Sequence, residues 1–272
     1  MSLNLFQTVS TRQRIDFEGL LPDTLCAMSA DEIAALTIHQ GKTRVRLDSL
    51  FEIQLQNDDQ IQLELVTRGN QVDNLGKNMT SGRIRVSGDV GRYAGRGMRG
   101  GQLQIQGDAG DFCGSSLIDG RLRVDGNAGD YLGAPSGGET RGQQGGLIHV
   151  RGNAGSRAGE RQRRGICLVE GDCGELAAHR MIAGTLYIGG KVGEMAGHGM
   201  RRGSLLLNNH PHALDANFRC NGIQKLVFLR LLLDDIQRLA EGGLDVLAQI
   251  GEVERYLGDV CADGRGEILI LR

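Results

Sequence analysis

The chain has 272 residues, room for one large domain or two modest ones, and its 31 Lys and Arg against 33 Asp and Glu, net −2 with only 4% aromatics, argue against a nucleic-acid binder. No run of 18 apolar residues occurs, and residues 1–13 lack the charged-then-apolar pattern of an export leader, so an untargeted, cytoplasmic protein without a membrane partner is predicted. The cysteines at 26, 113, 167, 173, 220 and 261 form no C-x-x-C pair, which suits a reducing compartment.

Residues 1–62 show no repeat. Residues 12–17 and 44–55 alternate enough to be strands, and Ser29-Ala-Asp-Glu32 is a capping box that opens a short helix reaching Leu36. This segment is expected to be an N-terminal cap that plugs the first coil of the repeat region, because an open end would expose unpaired backbone.

From Gly82 one sentence recurs: Gly82-Arg-Ile-Arg-Val-Ser-Gly-Asp-Val-Gly91, Gly101-Gln-Leu-Gln-Ile-Gln-Gly-Asp-Ala-Gly110, Gly120-Arg-Leu-Arg-Val-Asp-Gly-Asn-Ala-Gly129. It returns at Gly146, Gly165, Gly184 and Gly203, always at a step of 19 residues apart from one of 26, and a worn copy begins at Leu63. Repeat positions three and five are apolar at period two (Ile84 and Val86, Leu103 and Ile105, Leu122 and Val124), the inward face of a short strand. Position seven is Gly88, Gly107, Gly126, Gly152 and Gly171, and position eight is Asp89, Asp108, Asn127, Asn153 and Asp172, residues that tolerate left-handed backbone at a corner. Positions nine and thirteen are mostly small, as a narrow interior needs. Of the 43 glycines, 32 fall between Gly82 and Gly203, a density no helix would carry at about 1 kcal/mol per glycine. The expected fold is therefore mainly β, a right-handed parallel β-helix of about seven 19-residue turns over residues 63–207, with a C-terminal covering segment at 208–272.

The seven extra residues of the long step lie within 134–145, a surface loop by composition. Gly95-Arg-Gly-Met-Arg-Gly100 matches G-x-G-x-x-G as a string but joins two repeat strands, so it does not point to a dinucleotide. Past Leu207, residues 226–233 form the most apolar run, strand or helix by periodicity alone; a Gly242-Gly243 break, helical spacing over 244–257 and a closing strand over 266–272 come after it. Outward positions two and four drift from Arg83 and Arg85 to Ile166 and Leu168, Thr185 and Tyr187, Ser204 and Leu206, so the later coils present an apolar outer face that residues 226–233, Phe228 included, or a partner should bury.

No nucleophile stands beside a base, and His210-Pro-His212, the one close histidine pair, lacks neighbouring thiolate or carboxylate ligands for a metal. The Asp and Asn at position eight read as turn residues rather than a catalytic cleft, and Cys113, Cys167 and Cys173 as small core residues. No catalytic, cofactor or metal residue is expected in this chain.

The repeat G-x-[IL]-x-[VI]-x-G-[DN]-x-G-x-x-x-G, over about residues 63–207, resembles the glycine-repeat domain shared by glutamate synthase large subunits and the C subunit of formylmethanofuran dehydrogenases. With its non-repeat start and its tail Arg255-Tyr-Leu-Gly-Asp-Val-Cys-Ala-Asp-Gly-Arg-Gly-Glu-Ile-Leu-Ile, the chain is most similar to the C subunit of the bacterial formyltransferase/hydrolase complex. The resemblance implies a structural and docking role, without chemistry of its own, beside the A, B and D sibling subunits, two copies of each. Formyl would pass from formyl-tetrahydromethanopterin to a methanofuran-type carrier, and a sibling carrying a zinc-type metal would release formate. A glutamate-synthase-like spacer and a self-contained β-helix enzyme or ligand-binding protein are the alternatives.

Between Gly82 and Gly203 there are 17 Lys and Arg against 12 Asp and Glu. Arg96, Arg99, Arg161, Arg163, Arg164, Arg180, Arg201 and Arg202 recur late in the repeat, and stacking should align them as a basic stripe. It would dock acidic siblings or the polyglutamate tail that the resemblance gives the carrier.

Overall fold

The computed structural model describes residues 2–56, 61–239 and 251–272. The strands before the repeats are β1 (Ser2–Gln7), β2 (Ile15–Asp16), β3 (Thr37–Gln40), β4 (Thr43–Arg46), β5 (Phe51–Gln56), β6 (Gln62–Val66) and β7 (Val72–Asp73). The repeats supply β8 (Arg83–Ser87), β9 (Arg99–Ile105), β10 (Asp119–Val124), β11 (Leu147–Val150), β12 (Ile166–Val169), β13 (Thr185–Ile188) and β14 (Arg202–Leu207). Strands β15 (Arg219–Gln224), β16 (Val253–Gly258) and β17 (Arg265–Leu271) close the chain, and helices occur at Pro22–Leu25 (α1), Ala30–Ala35 (α2) and Val227–Leu239 (α3).

The fold is mainly β, built on one large sheet. Its order is β15-β16-β17-β14-β13-β12-β11-β10-β9-β8-β6-β1-β5, and every pair from β1 to β17 through the repeats is parallel. Register follows the repeat: Ile84 pairs with Leu103, Leu122 with Leu103 and Ile148, and Leu186 with Cys167 and Leu205, so each inward side chain stacks on its equivalent one coil away. These side chains are fully buried in one continuous core that runs from Leu3 to Ile270. A second parallel ladder joins Val90, Ala109, Ala128, Ala154, Cys173 and Val192, the small position-nine residues.

Both ends of the parallel run extend beyond the glycine repeats. Strand β1 pairs parallel with β6 and lays Leu3 and Leu5 on Leu63 and Leu65, while antiparallel β5 covers its free edge. At the other end β17 pairs parallel with β14, and antiparallel β16 and β15 follow. Of the expected N-terminal elements, α2 has both halves of its capping box: Ser29 N–H donates to Glu32 at 2.8 Å and Glu32 N–H to the Ser29 hydroxyl at 3.4 Å. Residues 12–17 give only the two-residue β2, and residues 44–55 divide between β4, a single 3₁₀ turn and β5.

Residues 227–239 are helical. The outer cluster sets Leu229, Leu233 and Ile236 of α3 against Leu147, Leu168, Tyr187, Leu206, Leu269 and Leu271 of the sheet, so this chain covers its own apolar outer face. The expectation for Phe228 is corrected: it is 42% exposed, and Leu231 67%, because helical spacing of 3.6 aims 229, 233 and 236 inward and leaves 228 and 231 on the far side. Helical spacing over 244–257 is also corrected, since Val253–Gly258 is a strand; the Gly242-Gly243 break and residues 244–250 lie outside the described residues. Among the described residues no helix is long and apolar enough to cross a membrane.

Candidate functional site

The corners that carry the outer loops have a different chemistry from the one expected. Asp89, Asp108, Asn127, Asn153 and Asp172 are not left-handed; each Oδ1 accepts the N–H of its equivalent one coil on, at 2.8, 2.7, 2.9, 2.8 and 2.6 Å. Position eight thus closes an open backbone donor of the next coil, which explains why Asp and Asn interchange there without regard to charge. Gly107, Gly126, Gly152 and Gly171 are also not left-handed, in contrast to Gly88 at φ +120°. They are glycine because there is no room: a Cβ on Gly126 would lie 2.6 Å from the Gly107 carbonyl oxygen and inside contact of Asp108 Oδ1, and the other three meet the same obstacle. Left-handed residues recur at position fourteen, glycine except for Ala178, at position sixteen, which includes Ser116, Arg161 and Arg180 at φ 49–53°, and at position twelve, where Tyr93, Phe112, Tyr131, Arg157, Leu176 and Met195 have φ between 57° and 63°. The first three stack as an aromatic column with centroids 5.0 and 4.6 Å apart, and Arg96 and Arg157 lie over its two end rings.

Two buried glutamines hold the loops that carry the basic residues. Gln143 Nε2 donates to the carbonyls of Gly145, Gly146 and Ile166 at 3.0–3.1 Å, and Gln162 Nε2 repeats the pattern one coil later with Arg164, Gly165 and Thr185. Backbone rungs fix the arginines themselves: Arg161 N–H donates to His179, Arg180 N–H to His198, Arg163 N–H to Gln143 and Arg201 N–H to Met181.

The eight arginines of the expected stripe are not all together. Arg161, Arg180 and Arg201 line an open cleft of about 650 Å³ with Ile182, Cys261 and Asp263, and Arg163, Arg164, Arg201 and Arg202 line a second of about 370 Å³ that shares Ile182, Arg201 and Asp263 with the first. Arg96 stands apart. It pairs with Glu139 of the insertion at 3.5 Å, and although burial opposes ionisation, the Ser116 hydroxyl and the Arg96 charge hold the Glu139 carboxyl below its usual range. Arg99 is exposed at the start of β9, beside Asp119. Arg161 lies 3.9 Å from Glu160, whereas no ion pair to Arg163, Arg164, Arg180, Arg201 or Arg202 occurs among the described residues. One member of the column went unforeseen: Arg265 of β17 pairs in register with Arg202. Arg265-Gly266-Glu-Ile-Leu-Ile repeats the grammar of Arg202-Gly203-Ser-Leu-Leu-Leu and could have been read as a further coil.

Beside the cleft, His198 Nδ1 lies 3.0 Å from Asp215 Oδ2, and buried Asp259 completes a group of possible cation ligands. Asp259 is already committed, accepting N–H groups from Gly199 at 2.9 Å and Cys261 at 2.7 Å, so it ties the 259–264 turn to the last coil. Of the His210-Pro-His212 pair, His210 meets Glu254 at 3.1 Å and no ligand group forms around it among the described residues. Gly95 and Gly97 of the G-x-G-x-x-G string are left-handed corners between β8 and β9, with no helix following. Cys113, Cys167 and Cys173 are buried in the core as expected, and burial pushes the Cys113 and Cys173 thiols up to about 12.

The 19-residue repeats, with their crowded glycines, pair in register on one large parallel sheet and carry two arginine-lined clefts, so the chain is a mainly β, glycine-repeat sequence. No family model matches the chain. A chain of the formyltransferase/hydrolase complex (FhcABCD) from Methylorubrum extorquens, solved in complex with methylofuran, is 32% identical and superposes with a TM-score of 0.90 over 98% of both chains. Two curated relatives from Methanococcus maripaludis, each named as the C subunit of a tungsten-containing formylmethanofuran dehydrogenase 2, match at 32% identity over 91 residues and 28% over 93; each match spans 34% of this chain and about a third of the relative. The chain belongs to the family of formylmethanofuran dehydrogenase C subunits. Tungsten appears only in the relatives' name; the core cysteines of this chain, Cys113, Cys167 and Cys173, are sealed among the inward side chains away from solvent.

Proposed function

We propose that this chain is a non-catalytic structural and docking component of a cytoplasmic formyltransferase/hydrolase complex. In it, formyl moves from formyl-tetrahydromethanopterin through a methanofuran-type carrier to formate on the A, B and D sibling subunits, with two copies of each and a zinc-type metal in a sibling. The observation that carries this reading is the full-length likeness, at 32% identity, to a chain of the Methylorubrum complex that holds methylofuran. Residues 63–207 act as a right-handed parallel β-helix, a rigid rod whose coil spacing of roughly 4.8 Å sets where each docking side chain stands. Residues 1–62 and 208–272 cap its ends and cover its outer face.

The arginine clefts are the docking element, for carboxylates of siblings or of the carrier's tail. Guanidinium forks grip carboxylates bidentately, and arginines without internal partners keep that capacity free. Reversing Arg163, Arg164, Arg201 and Arg202 to Glu together should release the chain from co-expressed siblings, or lower formate release by the complex, with an effect that weakens as salt rises. Unchanged assembly and unchanged rates at low and moderate ionic strength would reduce the clefts to a solvated edge.

A further inference from the structure

The two clefts have an internal geometry that selects among acidic partners. At the 19-residue offset, Arg163, Ile182 and Arg201 stand on three successive coils, and so do Arg164, Ala183 and Arg202. Two pairs of arginines are therefore separated by two coil spacings, about 9–10 Å, with an apolar floor between them. Arg265 adds a cation one coil beyond Arg202. Asp263 stands in the wall shared by both clefts.

A β-strand cannot match this array well. Its same-face side chains repeat at about 6.8 Å, and residues three apart, though about 10 Å distant, point to opposite faces. A polyproline II segment rises about 3.1 Å per residue with three residues per turn, so residues i and i+3 lie on one side at about 9.3 Å. Resting on the proposal that these clefts dock carboxylates, we infer that they read an extended acidic peptide of the form acid-x-x-acid. Its two carboxylates fall on the Arg163/Arg164 and Arg201/Arg202 pairs, and its two middle residues, small or apolar, lie over Ile182 and Ala183. The segment runs across the strands, along the stacking direction of the coils. Asp263, in the shared wall but not paired with these arginines, sets the occupancy threshold, because its charge opposes an incoming carboxylate.

The test uses the full chain and two dye-labelled peptides of one composition and charge, Gly-Glu-Pro-Pro-Glu-Gly and Gly-Pro-Glu-Glu-Pro-Gly, with binding followed by fluorescence anisotropy at low salt. The spaced peptide should bind about tenfold tighter than the adjacent one, the worth of one charge-assisted fork correctly placed. Arg163→Gln with Arg201→Gln should abolish that preference, while the double Lys variant retains binding but loses most of the discrimination. Asp263→Asn should tighten both peptides. Equal affinities, binding of neither peptide, or a preference that survives the double Gln variant would overturn the inference, and unchanged melting of each variant guards against misfolding. Should the peptides discriminate as expected while the fourfold Glu reversal leaves assembly and formate release untouched, the acid-x-x-acid reading stands and the role in the complex fails. Should assembly depend on the arginines without discrimination, the reverse holds.

Discussion

Helix α3 offers the sharpest test of how the outer face is closed. Leu233 is 2% exposed and Ile236 fully buried, both in the outer cluster that includes Leu168, Tyr187 and Leu206 of the sheet, whereas Phe228 and Leu231 are 42% and 67% exposed. Truncating a buried Leu to Ala typically costs 2–5 kcal/mol, of which about 1.5–3 kcal/mol is the transfer of the lost surface and the rest the cavity. Leu233→Ala should therefore cost about 3 kcal/mol, while Phe228→Asp and Leu231→Asp should each stay within about 0.5 kcal/mol, as surface changes do. The outer cluster lies on the opposite side of the sheet from the core of the coils, so the loss should appear first as detachment of the helix. Hydrogen exchange and limited proteolysis over residues 227–239 are the direct assays, with a urea melt followed by sheet signal as the reference. Faster exchange in that segment of Leu233→Ala, with a smaller shift in the melt, is expected. If Phe228→Asp loosens the segment as much as Leu233→Ala does, the helix is rotated from the arrangement described or its outer side is covered by something else, and the reasoning fails.

Gly126→Ala should destabilise by several kcal/mol although it adds one methyl group, because that Cβ meets the Gly107 carbonyl at 2.6 Å and a backbone stacked on both sides cannot yield; a melt close to that of the unchanged chain would refute the tight corner. Asp108→Leu removes the acceptor for Asn127 N–H and should cost about 1–3 kcal/mol for a stranded donor, while Asp108→Asn should be nearly silent, which urea midpoints would resolve. Burial, with Arg123 and Arg151 adding and Glu170 opposing, lowers the folded pKa of His149; burial, with Arg157, Arg180 and His198 adding and Glu160 opposing, does so for His179. Their contribution is thus full above the unfolded value near 6.5 and lost as pH falls through it towards the folded values, so urea midpoints should drop between about pH 7 and pH 5, and the double Gln variant should flatten that slope.

The features legible in the sequence are those that the interior enforces at a fixed period. Positions three and five are apolar because they face the core on every coil, and the glycines at position seven recur because the neighbouring coil leaves no space for Cβ, so both signals survive in single residues. The left-handed corners at position twelve were invisible for the opposite reason. Tyr, Phe, Arg, Leu and Met occupy position twelve, and three successive coils keep aromatics there for the stack they form along the column, which gives no hint of a positive φ. The run at 226–233 was ambiguous since Phe228 and Leu231 are apolar without being buried, and a segment that is greasy on every side has no period to reveal.

The arginine clefts are shorter than the expected stripe, and the 134–145 insertion accounts for the missing end at Arg96. The repeat sets Arg96 at position fifteen, next to the position-sixteen column of Arg161 and Arg180, yet nothing in the 19-residue period says where an inserted loop will lay its charges. Gln143 N–H and Gln144 N–H bond back to Gly133 and Leu117 while Gly142 N–H donates forward to Arg161, and the acid of the loop, Glu139, is set against Arg96 and Ser116 on the earlier side. The insertion thereby neutralises the near end of the column and leaves the cations of the later coils, Arg163, Arg164, Arg180, Arg201 and Arg202, without an internal acid among the described residues apart from the neighbouring Asp263. If this division of charge is what confines docking to the later coils, Glu139→Gln should free Arg96 and spread the basic surface toward the N-terminal end. An acidic peptide that binds the unchanged chain only through the later arginines should then bind the variant more tightly, and Arg96→Gln should cancel that gain. A gain that persists without Arg96 would mean that the loop acts through its position over the coils, with its charge playing no part.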